Sequence, residues 1–220
     1  MTNRSFATDT IHWQETMNGV TIDCSLDLAI HPAKSNVVLL TIPGVDGSVD
    51  GYEDKYIRMV EGVRQIHNVA AVRIANPFIT SFHWESNPRR ILDYISKNTE
   101  AITSSTGQPR MKIVAHSAGA SIIARIAHEY DDIADILLIN PALKLDSQAI
   151  LAGLKKTEAN VTIIFGEDDP SVSFSAALRE DGHDVVVLEG VDHHFTGDSI
   201  MDFIKLPQEY LFRESKSDRD

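Results

Sequence analysis

Six runs rich in Val, Ile and Leu, each followed by a helix-like stretch, constrain this chain more than any other feature. They are VVLLTIPG (residues 37–44), VAAVRIANPF (69–78), MKIVAH (111–116), ADILLINPAL (134–143), NVTIIFG (160–166) and DVVVLEG (184–190). A strand with one wet face alternates apolar and polar residues. A continuous apolar run implies burial on both faces, as in a parallel sheet covered by helices. The stretches between the runs suit those helices. YEDKYIRMVEGVRQI (52–66) has amphipathic spacing, and NPRRILDYISKNTEAI (87–102) carries Pro88 near a first turn. AGASIIARIAHEY (118–130), SQAILAGLKKT (147–157) and a short helix near 173–181 follow the next three runs. The last, SIMDFIKLPQEYLF (199–212), is expected to kink or break at Pro207. The pattern predicts an α/β fold: a mostly parallel central sheet with helices on both faces.

The N-terminal segment reads differently. Residues 11–32 alternate in polarity around Asn18-Gly19, a two-residue turn signal, which predicts an antiparallel hairpin at the sheet edge. Nothing along the 220 residues marks a composition break, so residues 1–212 are expected to form a single domain. Residues 213–220, RESKSDRD, are charged and expected to fray.

Open parallel sheets build their sites at the carboxyl ends of the strands. There this sequence concentrates its reactive residues. PGVDGS follows the first run, HSAG ends the third, GEDDPSV ends the fifth and GVDHHF follows the sixth. A Gly-rich loop, a serine between strand and helix, an Asp pair and a His pair thus share one edge. A lone Ser117 would read as a helix N-cap, for which serine is a preferred residue. Its company changes the reading, because a serine hydroxyl attacks well only when a base takes its proton.

Over nearly its whole length the chain resembles the α/β-hydrolase family, whose triad runs Ser, Asp, His in chain order. The resemblance implies Ser117 as nucleophile, Asp169 as acid and His193 as base. Asp169 is the third residue after Gly166, and His193 the third after Gly190. An imidazole, with an ordinary pKa of about 6.5, can take and return a proton near neutrality. The carboxylate would fix its tautomer. The oxyanion hole would use the backbone N–H groups of Ala118 and Val45. One departure from the family pattern is Ala115, which stands where the nucleophile motif has its first glycine. A methyl group is the smallest possible enlargement there, and Gly119 keeps the second small position.

Neighbouring residues receive plainer roles. Asp168 is a turn residue before Pro170, His194 a packing or surface histidine, and His116 a structural residue beside the strand. Asp146, after the preceding strand, is the rival position for the acid. Phe78, Phe82, His83 and Trp84 follow the second run and are candidates for an acyl or alcohol pocket. About 25 residues separate Pro141 from the end of the next strand, room for one helix and its connections. No cap domain fits there, so an open site is expected.

The class reading is a serine hydrolase of carboxylic esters or thioesters. Its substrate would be a small-molecule ester or an acyl group on a carrier. A non-catalytic ligand-binding protein of the same fold is the alternative. No cofactor or metal is expected, since the Asp and His pairs lack the spacing of a helical metal motif. The net charge of −12 argues against nucleic acid as a partner. No apolar run is long enough to span a bilayer. Cys24 is the lone cysteine, so no intrachain disulfide can form, and a cytoplasmic location is expected.

Overall fold

A computed structural model describes residues 6–77, 85–143 and 146–213. The apolar runs form six strands of an eight-stranded sheet, five of them inner and the sixth at one edge. In chain order the strands are β1 (Ala7–Met17), β2 (Val20–His31), β3 (Val37–Ile42), β4 (Ala70–Ile74), β5 (Arg110–His116), β6 (Ile133–Ile139), β7 (Asn160–Gly166) and β8 (Asp184–Leu188). Across the sheet they run β1-β2-β4-β3-β5-β6-β7-β8. From β4 to β8 every pairing is parallel, and β2 joins β4 antiparallel. The edge hairpin turns at Asn18 and Gly19, both at positive φ (50° and 78°). That twist matches the twist of the two strands.

Helices cover both faces. α1 (Lys55–Ile66) and α7 (Ile200–Tyr210) pack together on one face, over Leu39, Ala71, Val114, Leu137 and Ile164. The other face carries α2 (Ser86–Lys97), α3 (Thr99–Thr103), α4 (Ala118–Ile126), α5 (Ser147–Lys156) and α6 (Ser175–Glu180). It covers Leu40, Ile42, Ile113, Ala115, Leu138 and Phe165. α4 is apolar nearly all round and buried accordingly.

Two boundaries differ from the sequence reading. The stretch expected as one helix over 87–102 divides at Asn98 into α2 and α3. The Asn98 side chain donates to the Tyr94 carbonyl and competes with the helix ladder. The break expected at Pro207 does not occur. α7 runs through it to Tyr210, and the Pro207 carbonyl accepts from Leu211 and Phe212. Proline opens the last turn there, and it is buried along with Phe203 and Leu206.

Residues 140–146 alone connect β6 to α5, too few for a cap domain. The strand order reverses around β3, with β4 on one side and β5 on the other. The crevice beyond the carboxyl ends of β3 and β5 is therefore where a ligand site is expected.

Candidate active site

Ser117 sits between β5 and α4 with φ 55° and ψ −121°, a backbone conformation few non-glycine residues adopt. Hydrogen bonds hold it there: its N–H donates to the Ile139 carbonyl (2.9 Å), and its carbonyl accepts from Ser121 (3.1 Å). The turn closes because Gly119 has no side chain. A Cβ at that position would lie 2.4 Å from the Pro43 carbonyl oxygen. Ala115 is accommodated within β5, fully buried between its neighbours on β3 and β6.

Asp169 follows β7 in a short turn, its N–H bonded to the Gly166 carbonyl. Only 2% of it is exposed. One carboxylate oxygen accepts from the Ser171 N–H (2.6 Å), and the other faces Nδ1 of His193 in a short hydrogen bond. Nε2 of His193 lies 2.9 Å from the Ser117 hydroxyl oxygen. A carboxylate only accepts, so Nδ1 carries the hydrogen and Nε2 is left to accept from Ser117. Acid, imidazole and hydroxyl therefore stand in one hydrogen-bonded line. The loops meet this closely because Gly166 lacks a Cβ, which would sit 2.2 Å from the Val191 carbonyl oxygen.

The remaining expected residues separate clearly. Asp168 is exposed, and its N–H donates to the Val191 carbonyl. Asp146 caps α5 by accepting from Ala149 and pairs with Arg125 at 3.6 Å, away from His193. Among the described residues, the backbone N–H groups of Val45 and Ala118 have no protein acceptor. Val45 lines the cavity in front of Ser117, and Gly44 approaches Ser117 so closely that a Cβ there would be 3.0 Å from its Cβ. Phe78, Phe82, His83 and Trp84 lie outside the described residues.

His116 is buried, and its Nε2 donates to the His193 carbonyl (2.8 Å). Burial first, and then the Lys55 ammonium, push its pKa well below the ordinary 6.5. It is a neutral prop beneath the base loop. His194 is exposed at the cavity, and its pKa is also lowered, by burial and then by His193.

Three residues that the sequence reading passed over complete the site. Asn140, buried at the end of β6, donates to the carbonyls of Asp192 (3.2 Å) and His193 (3.0 Å) and accepts from the Gly166 N–H (2.8 Å). One amide thus ties the acid strand to the base loop. Its signal was an Asn-Pro pair closing an apolar run. Asp192 braces the base loop, its carboxylate accepting from the N–H groups of His194 and Thr196 and from the Thr196 hydroxyl. Lys55 enters the cavity from the start of α1. The cavity measures about 440 Å³ and is lined by Gly44, Val45, Tyr52, Lys55, His116 and Ser117, among others. A larger hollow of about 760 Å³ lies against the edge hairpin and includes none of Ser117, Asp169 and His193 in its lining.

No protein-family model and no curated protein matches this sequence. Solved structures do match. Est1E from Butyrivibrio proteoclasticus aligns over 92% of this chain and 99% of its own, at 15% identity and a TM-score of 0.63. A dienelactone hydrolase from Anabaena variabilis aligns over 93% and 97%, at 15% identity and a TM-score of 0.67. A serine hydrolase from Xanthomonas campestris, described as having no lid, aligns over 94% and 95%, at 16% identity and a TM-score of 0.61. At such identities the shared property is the fold. This chain has the α/β-hydrolase fold, in the form without a cap.

Proposed function

We propose that the protein is a serine hydrolase that cleaves a carboxylic ester or thioester through an acyl-enzyme. One observation carries the reading: the hydrogen-bonded line from Asp169 through His193 to Ser117, ending on a strained turn at a cavity. In the first half-reaction the Ser117 oxygen bonds to the substrate carbonyl carbon while its proton moves to Nε2 of His193. Asp169 stabilises the resulting imidazolium. The N–H groups of Ala118 and Val45, the first of them at the positive end of α4, receive the oxyanion. The tetrahedral adduct then expels the alcohol or thiol, which leaves with the proton from His193. In the second half, water adds to the acyl carbon, gives its proton to His193, and the carboxylic acid departs as Ser117 is reprotonated.

The hydrolase titles of similar structures support this class. A reducing, cytoplasmic setting suits a chain whose lone thiol, Cys24, is buried. The test is labelling and turnover. A fluorophosphonate should add once, at Ser117, and Ser117→Ala should lower kcat on p-nitrophenyl esters on the order of 10³-fold or more. Asp169→Asn should fold and still lower kcat strongly, by up to about 10⁴-fold, while Asp146→Asn should not. An unlabelled Ser117, or activity retained in Ser117→Ala, would turn the reading to a ligand-binding protein of this fold.

A further inference from the structure

Lys55 is a buried charge that the proposed chemistry does not use. It is the first residue of α1, follows the loop that carries Val45, and is only 4% exposed. Its Nζ donates to the His194 carbonyl at 3.3 Å and lies 4.2 Å from the centre of the Phe203 ring. An ammonium has three N–H donors. The other two have no acceptor among the described residues, and no described carboxylate forms an ion pair with it. Asp192 is the carboxylate whose field it feels, and that group is already bound to His194 and Thr196. Asp46, the carboxylate in the cavity lining, sits exposed at the rim.

An ammonium taken out of water without a counter-ion is held at a cost in free energy. Burial accordingly pushes Lys55 down to about 8, which leaves it mostly charged at neutral pH. Lys55 and Ser117 line the same cavity. At about 440 Å³ it is within the range of small-molecule sites, roughly 300–1,000 Å³. The protein as a whole carries a net charge of −12, which repels anions at long range. A local cation inside the cavity is what could select one.

We propose that Lys55 is the carboxylate-recognition residue of this cavity, and that the substrate is a short ester or thioester carrying a second, free carboxylate. The free carboxylate docks on the Lys55 ammonium, and the scissile carbonyl reaches Ser117. The ester part of this statement rests on the hydrolase reading; the anion site does not.

Two esters with the same four-carbon acyl chain separate the outcomes: mono-p-nitrophenyl succinate, and p-nitrophenyl butyrate, which has a methyl group in place of the free carboxylate. The ratio of kcat/KM for succinate over butyrate should fall about tenfold or more in Lys55→Met, mainly through KM, as expected for losing a hydrogen bond to a charged group. An equal loss on both esters, or no loss, overturns the proposal. Should Lys55→Met not fold, Lys55→Gln is read in the same way. Calorimetric titration of succinate into Ser117→Ala, which cannot turn over, gives a readout free of chemistry. Binding that disappears in Ser117→Ala/Lys55→Met supports the anion site, even if the wild type hydrolyses neither ester and the hydrolase reading falls. Hydrolysis of both esters with no succinate binding and an unchanged ratio removes the anion site and leaves the hydrolase reading standing.

Discussion

Two buried cations flank the loop between β3 and α1, and they are treated in opposite ways. Arg73, on β4, is fully buried and has a carboxylate partner, although its Nη2 has no hydrogen-bond acceptor among the described residues. It pairs with Asp50, donates to the Val49 carbonyl and to Nε2 of His31 (3.1 Å each), and lies 5.0 Å from the Phe6 ring. Lys55, just past the other end of the loop, has one carbonyl and two aromatic rings, Phe203 and Tyr56, but no carboxylate in an ion pair among the described residues. A buried charge paired with a carboxylate fixes structure. A buried charge left without one is costly alone and becomes favourable when an anion arrives. Arg73 grips residues 49 and 50 and so positions the loop that carries Val45; Lys55 addresses the cavity that loop encloses.

The largest expected effect is on the Arg73 side. Asp50→Asn leaves the guanidinium buried without its anion. It should destabilise the fold by about 3 kcal/mol, the low end for broken buried pairs because the Asp50 side chain is 41% exposed. That corresponds to a Tm loss of about 6–12 °C for a chain of this size. A thermal scan showing a loss of under about 1 kcal/mol would make Arg73 no better anchored than Lys55.

Lys55→Met should move the other way and raise Tm by a few degrees at pH 7. The sign follows from linkage. The folded pKa, about 8, is below the ordinary 10.5, so the destabilisation is complete below pH 8 and fades as pH rises toward 10.5. The gap between wild type and Lys55→Met should therefore close over that interval. A lower Tm for Lys55→Met would instead make Lys55 a tether of the His194 loop, a second Arg73.

The effect that is smallest at pH 7, and grows only on acidification, concerns the neutral histidine beside each cation. His31, next to Arg73, is lowered to about 3 by burial, Arg73 and Arg64, with Asp50 opposing. His116, next to Lys55, is lowered by burial and by Lys55, His193 and His194. Below pH 6.5 the unfolded chain takes up protons that these two sites refuse, so stability falls as pH drops from 6.5. His31→Gln and His116→Gln should each flatten that slope, by at most about 1.4 kcal/mol per pH unit. Denaturant melts between pH 4 and pH 7 measure it, and an unchanged slope in either variant would mean that histidine does take up its proton when folded.

The difference between the two cations also marks where sequence reading stops. Strands β3 to β7 were legible because burial on both faces writes itself as unbroken Val, Ile and Leu; β8 carries a similar run although it lies half-buried at the sheet edge. The positions of Ser117, Asp169 and His193 were legible because each follows the end of such a run. Nothing local marks Lys55. A lysine in the first turn of an amphipathic helix reads as solvated, and its burial is decided by Phe203 and the His194 loop, more than a hundred residues away. Asn140 left a faint trace in Asn-Pro, but its three hydrogen bonds depend on two other strand ends. Pro207 misled for a related reason. Local chemistry argues for a break, yet the helix runs through Pro207, which is buried in its last turn. α2 and α3 divide at Asn98 through a side-chain bond that a periodicity pattern does not register.

The left-handed turn at Ser117 has a consequence for how such a chain would change over generations. A non-glycine residue held in that conformation costs of order 1–3 kcal/mol, and glycine would relieve it with two atoms fewer and no new contact to satisfy. A lineage no longer selected for a hydroxyl at this point would have an open downhill step, one substitution long, with more stability as its immediate return. The serine stands at the top of that step. The strained backbone thus works as a ratchet in reverse: it keeps the site only as long as something outside the fold requires it, and erases it soon after.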